Sequence, residues 1–316
     1  MSPSDFMRRA IALADPGVAA VSPNPSVGCV LVRDGVVVAE GATEPPPGAH
    51  AEAVGLRNAG GAARGATAYV TLEPCASHGR TPPCADALIA AGVAEVHIAM
   101  LDPDETTNGR GVARLRASRI TVTTGDGEGE VERQLEAYRK HRLAGLPFVI
   151  AKFAATLDGK IAAASGDSRW VAGNEARAWA HEHRTRIDAI MCGVNNVLLD
   201  DPQLTARPGG VATERQPLRI VADSRGRTPL DAKVLGPGGK TIIATTAASD
   251  AAWRAAVESR GAEALVLPAD EGGRVDVTAL ARVLGKRGVL SLLVEGGGVL
   301  HASFFAAGLV DKVHAI

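Results

Sequence analysis

Four residues in a chain of 316 have types and spacings that could do chemistry together. His50 and Glu52 open the stretch "HAEAVGLRNAG", and Cys75 and Cys84 bound "CASHGRTPPC". Neighbours two apart on a helix are turned by about 200°, so His50 and Glu52 cannot easily be ligands of one ion. A division of labour follows, with His50 on a metal and Glu52 reaching past it. Cys75 follows Pro74 at the end of an apolar run. Cys84 follows Pro82-Pro83 in the first turn of a predicted helix, where the helix end and a metal both favour the thiolate. One histidine and two cysteines leave a fourth tetrahedral position for water, the catalytic form of a zinc site rather than the closed structural form. Zinc brings the pKa of that water towards neutrality, and a carboxylate that is not a ligand can carry protons from it to a leaving amine. The competing reading makes His50 and Glu52 solvated helix-start residues and the cysteines core fillers. "EPC" with a second cysteine on the following unit favours the metal. Cys29 and Cys192 lie within apolar runs and read as core.

The second half offers a weaker constellation. "LLVEGGGVLHASFF" is an apolar strand, Glu295, three glycines and then a helix. Such a junction lets a phosphate approach backbone N–H groups at a positive helix end, or is only a tight packing corner. Polar clusters at "KFAATLDGKIA", "GDSRWVAG", "HEHRTRIDAI", "GVNNVLLDDPQLTARP" and "VADSRGRTPL" each end a predicted strand or open a helix. In open α/β sheets the ligand crevice lies outside the carboxyl ends of the strands. Arg184 and Arg207 are candidates for a phosphate clamp, because a guanidinium fork matches phosphate geometry; either alone could be a solvated surface residue.

The elements that must position these residues read as α/β throughout. A helix over 4–14 is capped by Ser4 and stopped at Pro16-Gly17. "VGCVLVRDGVVVAEG" is two strands around an Asp34-Gly35 hairpin turn. The His50 helix, a strand at "ATAYVTL", a helix over 83–91 and a strand at "AEVHIAM" follow as a βαβ alternation. "GDGEGEVERQLEAYRKHRLAG" is a charged helix that closes a first domain over 1–145 and leads through 144–147 into a second over 146–316. There, strands are expected at "PFVIAKFAA", "DAIMCG", "PLRIVAD", "KTIIATT", "EALVLP" and "VLSLLVEG", with helices near 174–184, 249–260, 276–286 and 298–307.

Composition narrows the function. Thirty-four basic against 35 acidic residues, net charge −1, with aromatics at 3%, give no electrostatic or stacking footprint for nucleic acid. That disfavours a nucleic-acid-editing deaminase with an appended binding domain. A nucleotide sensor that binds at both sites without turnover is a third reading, separable by ammonia release. No apolar run approaches the roughly 20 residues of a membrane span, and "AIALA" is too short for a secretory core. Four cysteines make no disulfide framework. A cytoplasmic protein acting on small molecules is expected, without nucleic acid or membrane partners; homo-oligomerisation is left open.

The motifs also carry a family likeness. A His-x-Glu with a Pro-Cys pair is the zinc-deaminase signature, in which the glutamate is not a ligand. "PNPSVGCVLV", "HAEAV", "YVTLEPCASHGRTPPC" and "LDP" together resemble the bifunctional deaminase/reductase family of riboflavin biosynthesis, whose second cysteine follows after eight residues, as Cys84 does. The resemblance runs from about residue 20 to the end of the chain. It implies a cytidine-deaminase-like α/β domain followed by a dihydrofolate-reductase-like α/β domain. It implies zinc on His50, Cys75 and Cys84, Glu52 as proton shuttle, and substrate contacts from Asn24, Arg80 and Asp102. In the second domain it implies NADPH contacts at Ala154, Trp170, Asn196, Asp200, Ser224, Gly296, Gly297 and Gly298, and substrate contacts at Ser168, Arg184, Leu204, Arg207 and Glu295. The implied reactions are deamination of a phosphoribosylamino-pyrimidine and NADPH-dependent reduction of its ribosyl group to ribityl. For that reduction no proton donor is evident, though Asp200 and Glu295 are conceivable. Three departures stand out. Thr43 and Glu44 occupy the place of a family histidine ahead of His50, "DPDETTNGRG" replaces an Asp-Pro-Asn-Pro, and the family's closing strands after "VDKVHAI" are expected to be missing.

Overall fold

The computed structural model describes residues 4–76, 82–162 and 171–316, and the chain divides into two compact units, Met1–Ala144 and Gly145–Ile316. Among the described residues no helix is long and apolar enough to cross a membrane.

The first unit is built on a five-stranded sheet of order β2-β1-β3-β4-β5. Its strands are β1 (Gly28–Arg33), β2 (Val36–Ala42), β3 (Thr67–Leu72), β4 (Glu95–Met100) and β5 (Thr121–Thr124). β1 runs antiparallel to β2 and β3, while β3, β4 and β5 are mutually parallel. The β1–β2 turn puts Asp34 and Gly35 at φ 53° and 77°, the double left-handed conformation that Asp-Gly hairpins supply. Helix α1 (Asp5–Ala14) starts where Ser4 accepts from the Met7 N–H. Two close approaches hold helices on this sheet. A Cβ on Gly28 would lie 1.9 Å from the Ala10 carbonyl oxygen, so α1 can sit on β1 only over a glycine. A Cβ on Gly41 would lie 2.3 Å from the Ala51 oxygen, which seats α2 (Ala51–Ala59) against β2. Helix α3 (Cys84–Ala91) follows β3.

Three features of this unit depart from the sequence expectation. The 125–145 stretch forms two helices, α5 (Glu128–Gln134) and α6 (Glu136–Ala144), rather than one. Helix α4 (Arg110–Ala117) and strand β5 are additional to the expected elements. Both are short, and in β5 only Val122 is buried, too little to leave a periodic signal.

The second unit is a seven-stranded sheet of order β10-β9-β8-β7-β11-β6-β12, every adjacent pair parallel. Its strands are β6 (Phe148–Phe153), β7 (Ala189–Gly193), β8 (Leu218–Ala222), β9 (Thr241–Thr245), β10 (Glu263–Val266), β11 (Ser291–Val294) and β12 (Val310–Ala315). Helices α7 (Asn174–Arg184), α8 (Val194–Asp200), α9 (Ala251–Ser259), α10 (Val277–Lys286) and α11 (Gly298–Ala306) connect them. The central strands read as unbroken apolar runs because both faces are covered. One buried cluster gathers Met191, Ile220, Leu280, Leu292 and Phe304. The other gathers Ile190, Val221, Ile243, Val257 and Leu293. Helix α8 is hard to see in the sequence because Leu198 and Leu199 point outward, the latter 80% exposed, which spoils the amphipathic pattern.

Candidate functional site

In the first unit, His50 is the N-cap of α2, in extended conformation at φ −71° and ψ 159°. It therefore lies outside the helical repeat, and the 200° argument does not apply to it. The extended residue lets its ring and the Glu52 side chain approach the same place. Cys75 lies after β3, and Cys84 is the first residue of α3. The Cys75 carbonyl accepts from Ala85 N–H, and its Sγ accepts from Cys84 N–H at 3.3 Å.

His50 Nδ1 lies 3.8 Å from Cys75 Sγ and 3.4 Å from Cys84 Sγ, and the three donor atoms are within 4.8 Å of one another. Zinc–sulfur bonds of about 2.3 Å and zinc–nitrogen bonds of about 2.0–2.1 Å set tetrahedral N–S edges of roughly 3.5 Å, so this donor set fits the ion. Cys75 is pulled well below the usual thiol range, first by its hydrogen bond with Cys84 and then by His50, while the same shared proton and burial push Cys84 up. Two thiols competing for one proton are the charge state a cation would resolve. Glu52 is 4% exposed. Burial drives its carboxyl up to about 7, and Cys75, His50 and Cys84 all act on it. It stands beside the donor cluster without belonging to it.

A residue that the motifs do not single out organises the surroundings. Glu73 is buried and accepts from the N–H groups of Asp102 at 3.2 Å, Gly109 at 2.9 Å and Val112 at 3.1 Å. Its carboxylate ties the cysteine segment to the loop that carries Asp102. Asp102, also buried, accepts from Asp104 N–H and from the Tyr138 hydroxyl at 3.2 Å, and burial raises its pKa. Asn24 is half-buried after the cis Ser22–Pro23 bond. Arg80 lies outside the described residues. Thr43 brackets Val27 N–H and carbonyl, and Glu44 accepts from Ala49 N–H while pairing with Arg57. These departures from the family pattern thus build the turn into His50.

In the second unit two cavities share Asn195, Asn196 and Gly297. The first, of 470 Å³, runs between the β7–α8 junction, Ser224, Arg225, Arg227, Arg274 and the start of α11. The second, of 320 Å³, is lined by Lys152, Ala154, Asp200, Glu295, Gly296 and His301 among others. The glycine turn is obligatory. Gly296 and Gly297 have φ 143° and 76°, and a Cβ on either would meet the Asn196 amide at 2.9 and 3.0 Å respectively. Ala154, Asp200, Glu295 and Gly296 line the second cavity, Ser224 and Gly298 the first, and Asn196 and Gly297 both. Ser168 and Trp170 lie outside the described residues.

Arg184 is used differently from expectation. Its Nε and Nη2 donate to Glu295 at 2.9 and 2.6 Å, and Nη1 donates to the Thr205 carbonyl. That fork is spent inside the protein rather than presented to a phosphate. Burial pushes Glu295 upward, but Arg184 and then Lys152, 3.8 Å away, outweigh it and keep the carboxylate charged. Arg207 donates to the side chains of Gln203 and Thr205, and Arg184 is close enough to depress its pKa further after burial. Leu204 between them is buried at φ 52°, a strained conformation for a branched residue. Lys152 and His301 are cavity residues that lie in stretches the sequence picks out but are not singled out there. Lys152 sits within an apolar strand and His301 in an apolar helix, and only burial beside a cavity marks them.

Fold and site define a two-unit α/β protein with a metal-type cluster in one half and a nucleotide-sized space in the other. Residues 1–100 match the cytidine and deoxycytidylate deaminase zinc-binding region, and residues 147–316 match the RibD C-terminal domain. The riboflavin biosynthesis protein RibD of Chlamydia trachomatis is 42% identical over 97% of this chain and 81% of its own. That of Escherichia coli is 40% identical over 98% and 85%. A solved RibD of Acinetobacter baumannii has a TM-score of 0.88 at 36% identity, covering 98% of this chain and 85% of its own. The chain belongs to the RibD family of riboflavin-biosynthesis proteins, with zinc and NADPH as the cofactors of its deaminase and reductase halves.

Proposed function

We propose that the first unit hydrolytically deaminates a 2,5-diamino-6-(5-phosphoribosylamino)pyrimidin-4-one and that the second reduces the ribosyl side chain of the product to ribityl. A solved relative from Thermotoga maritima, 36% identical with a TM-score of 0.84, is described as the deaminase and reductase of these two steps. The observation that carries the reading is the convergence of His50, Cys75 and Cys84 beside a buried carboxylate.

Zinc held by those three residues would lower the pKa of a water molecule towards neutrality. Glu52, buried beside the cluster and outside its donor set, is placed to take a proton from water and give it to the departing amine. Asp102, fixed by Glu73 and Tyr138, and Asn24 would orient the pyrimidine. In the second unit NADPH would supply the hydride when bound. The glycine turn ahead of α11 brings backbone N–H groups to the larger cavity, where a cofactor phosphate can lie. Arg225, Arg227 and Arg274 add positive charge there. Arg184 holds Glu295 in place, and Arg207 is the better candidate for a substrate phosphate.

Free thiols at Cys75 and Cys84 suit a reducing compartment such as the cytoplasm, and the balanced charge suits small-molecule rather than nucleic-acid partners. Incubation with the pyrimidine substrate, with and without NADPH, should release ammonia in both cases and oxidise NADPH only after deamination. Stripping zinc with a chelator should abolish ammonia release, and full release by zinc-free protein would sink the deaminase assignment.

A further inference from the structure

His301, on α11, is 8% exposed, and neither ring nitrogen finds a hydrogen-bond partner among the described residues. The Lys152 backbone is its polar neighbour, but no well-formed hydrogen bond links them. Phe153 meets the ring edge-on at 5.9 Å between centroids. Buried polar groups are nearly always paired, because an unpaired one forfeits its hydration. A ring serving only as filler here would be better as phenyl. His301 lines the 320 Å³ cavity together with Lys152, Asp200, Glu295 and Asn196, and Asn196 Oδ1 is likewise buried without a partner. Two orphaned polar groups on one wall mark a surface shaped for a polar ligand.

The chemistry of the wall narrows that ligand. Burial first, and then the Lys152 charge, lower the His301 pKa, so the imidazole stays neutral at physiological pH. A neutral imidazole presents one donor nitrogen and one acceptor nitrogen. Phosphate and carboxylate need donors only, so neither can use an imidazole nitrogen that accepts. Sugar hydroxyls both donate and accept, so one of them can pair with the ring nitrogen turned away from the Lys152 backbone, whichever role that nitrogen plays. We propose that His301 contacts the substrate of the second unit and reads the hydroxyl groups of the sugar being reduced. This rests on the reading of that unit as a reductase of a ribosyl substrate.

The test compares the full-length wild-type chain with His301→Phe and His301→Gln. NADPH oxidation is followed against the deaminated substrate, NADPH affinity by fluorescence titration, and stability by thermal melting. Phe should raise KM about 3- to 10-fold, as loss of one neutral hydrogen bond requires, and leave NADPH affinity within about two-fold. Its melting temperature should hold or rise, since an unpaired buried polar group is gone. Gln, which keeps a donor and an acceptor, should recover part of the lost affinity. If the phenyl ring is not accommodated, His301→Ala reads the same loss. A KM within about two-fold of wild type in Phe, or equal loss in Phe and Gln, would overturn the proposal. Absence of NADPH oxidation by the wild-type chain would overturn the reading of the unit itself and this role with it.

Discussion

Glu52 lies buried beside the cluster of His50, Cys75 and Cys84 yet outside its donor set, which leaves its carboxyl free to titrate. Glu52→Gln keeps the shape and removes the titrating proton, so deamination should fall by roughly 10² to 10⁴ while bound zinc, measured by elemental analysis, stays near one per chain. If zinc leaves with the carboxylate, Glu52 is a ligand and the division of labour is wrong. The grouping of a glutamate with His50 and two cysteines is legible by residue type, but the helical spacing is no guide to which of them are ligands, because His50 caps α2 in extended conformation outside the helical repeat. Other residues are legible by type but not by use. Arg184 reads as an open fork, since nothing local shows that Glu295, far along the chain, will fold onto it. Glu73 hides inside "LEPC" for the same reason: its three acceptor bonds reach a loop 29 to 39 residues away.

Elements with strong periodicity or capping are readable, as α1 with its Ser4 cap and the Asp34-Gly35 hairpin show. Short ones are not, because β5 and α8 bury too few side chains to leave a pattern. Tertiary packing also creates properties that no element has alone. His183 on α7 stacks on Trp179 at 5.0 Å and meets His314 of β12 at 4.8 Å. Burial, then His314, lower its pKa to about 4, with Glu295 opposing and Arg186 and Lys312 adding to the shift. The unfolded chain would take up a proton near the ordinary value of about 6.5. The native state binds that proton only around 4. Stability tied to neutral His183 is therefore fully present above about 6.5, declines as pH falls towards 4, and is flat below. His183→Phe keeps the stack and removes the titration. Between pH 7 and 5 its melting temperature should fall less than that of wild type, by roughly 2–8 °C. Parallel curves for the two proteins would show that His183 already titrates normally in the folded state.

At the scale of the whole molecule, the alternation of strands and helices is visible in the sequence, but the strand order is not. β11 inserts between β7 and β6, and β12 pairs with β6 on the far edge, because parallel pairing is decided by long-range packing rather than local pattern. What that architecture does separate is the two sites. His50, Glu52, Cys75, Cys84 and Asp102 all belong to the first unit, and Lys152, Arg184, Asn196, Glu295 and His301 to the second. Each unit has its own sheet, so a change that leaves packing intact in one should leave the chemistry of the other untouched. Given already deaminated substrate, Glu52→Gln should oxidise NADPH at the wild-type rate. Given the diamino substrate, it should oxidise almost none, because the reducible product never forms. The reverse variant, Gly297→Val, clashes with Asn196 and disfavours φ 76°, so it should weaken NADPH affinity while ammonia release continues unchanged. Ammonia and NADPH absorbance followed in the same tube distinguish these three cases. Loss of both activities from Glu52→Gln alone would mean that one composite site, drawing residues from both halves, performs the two reactions.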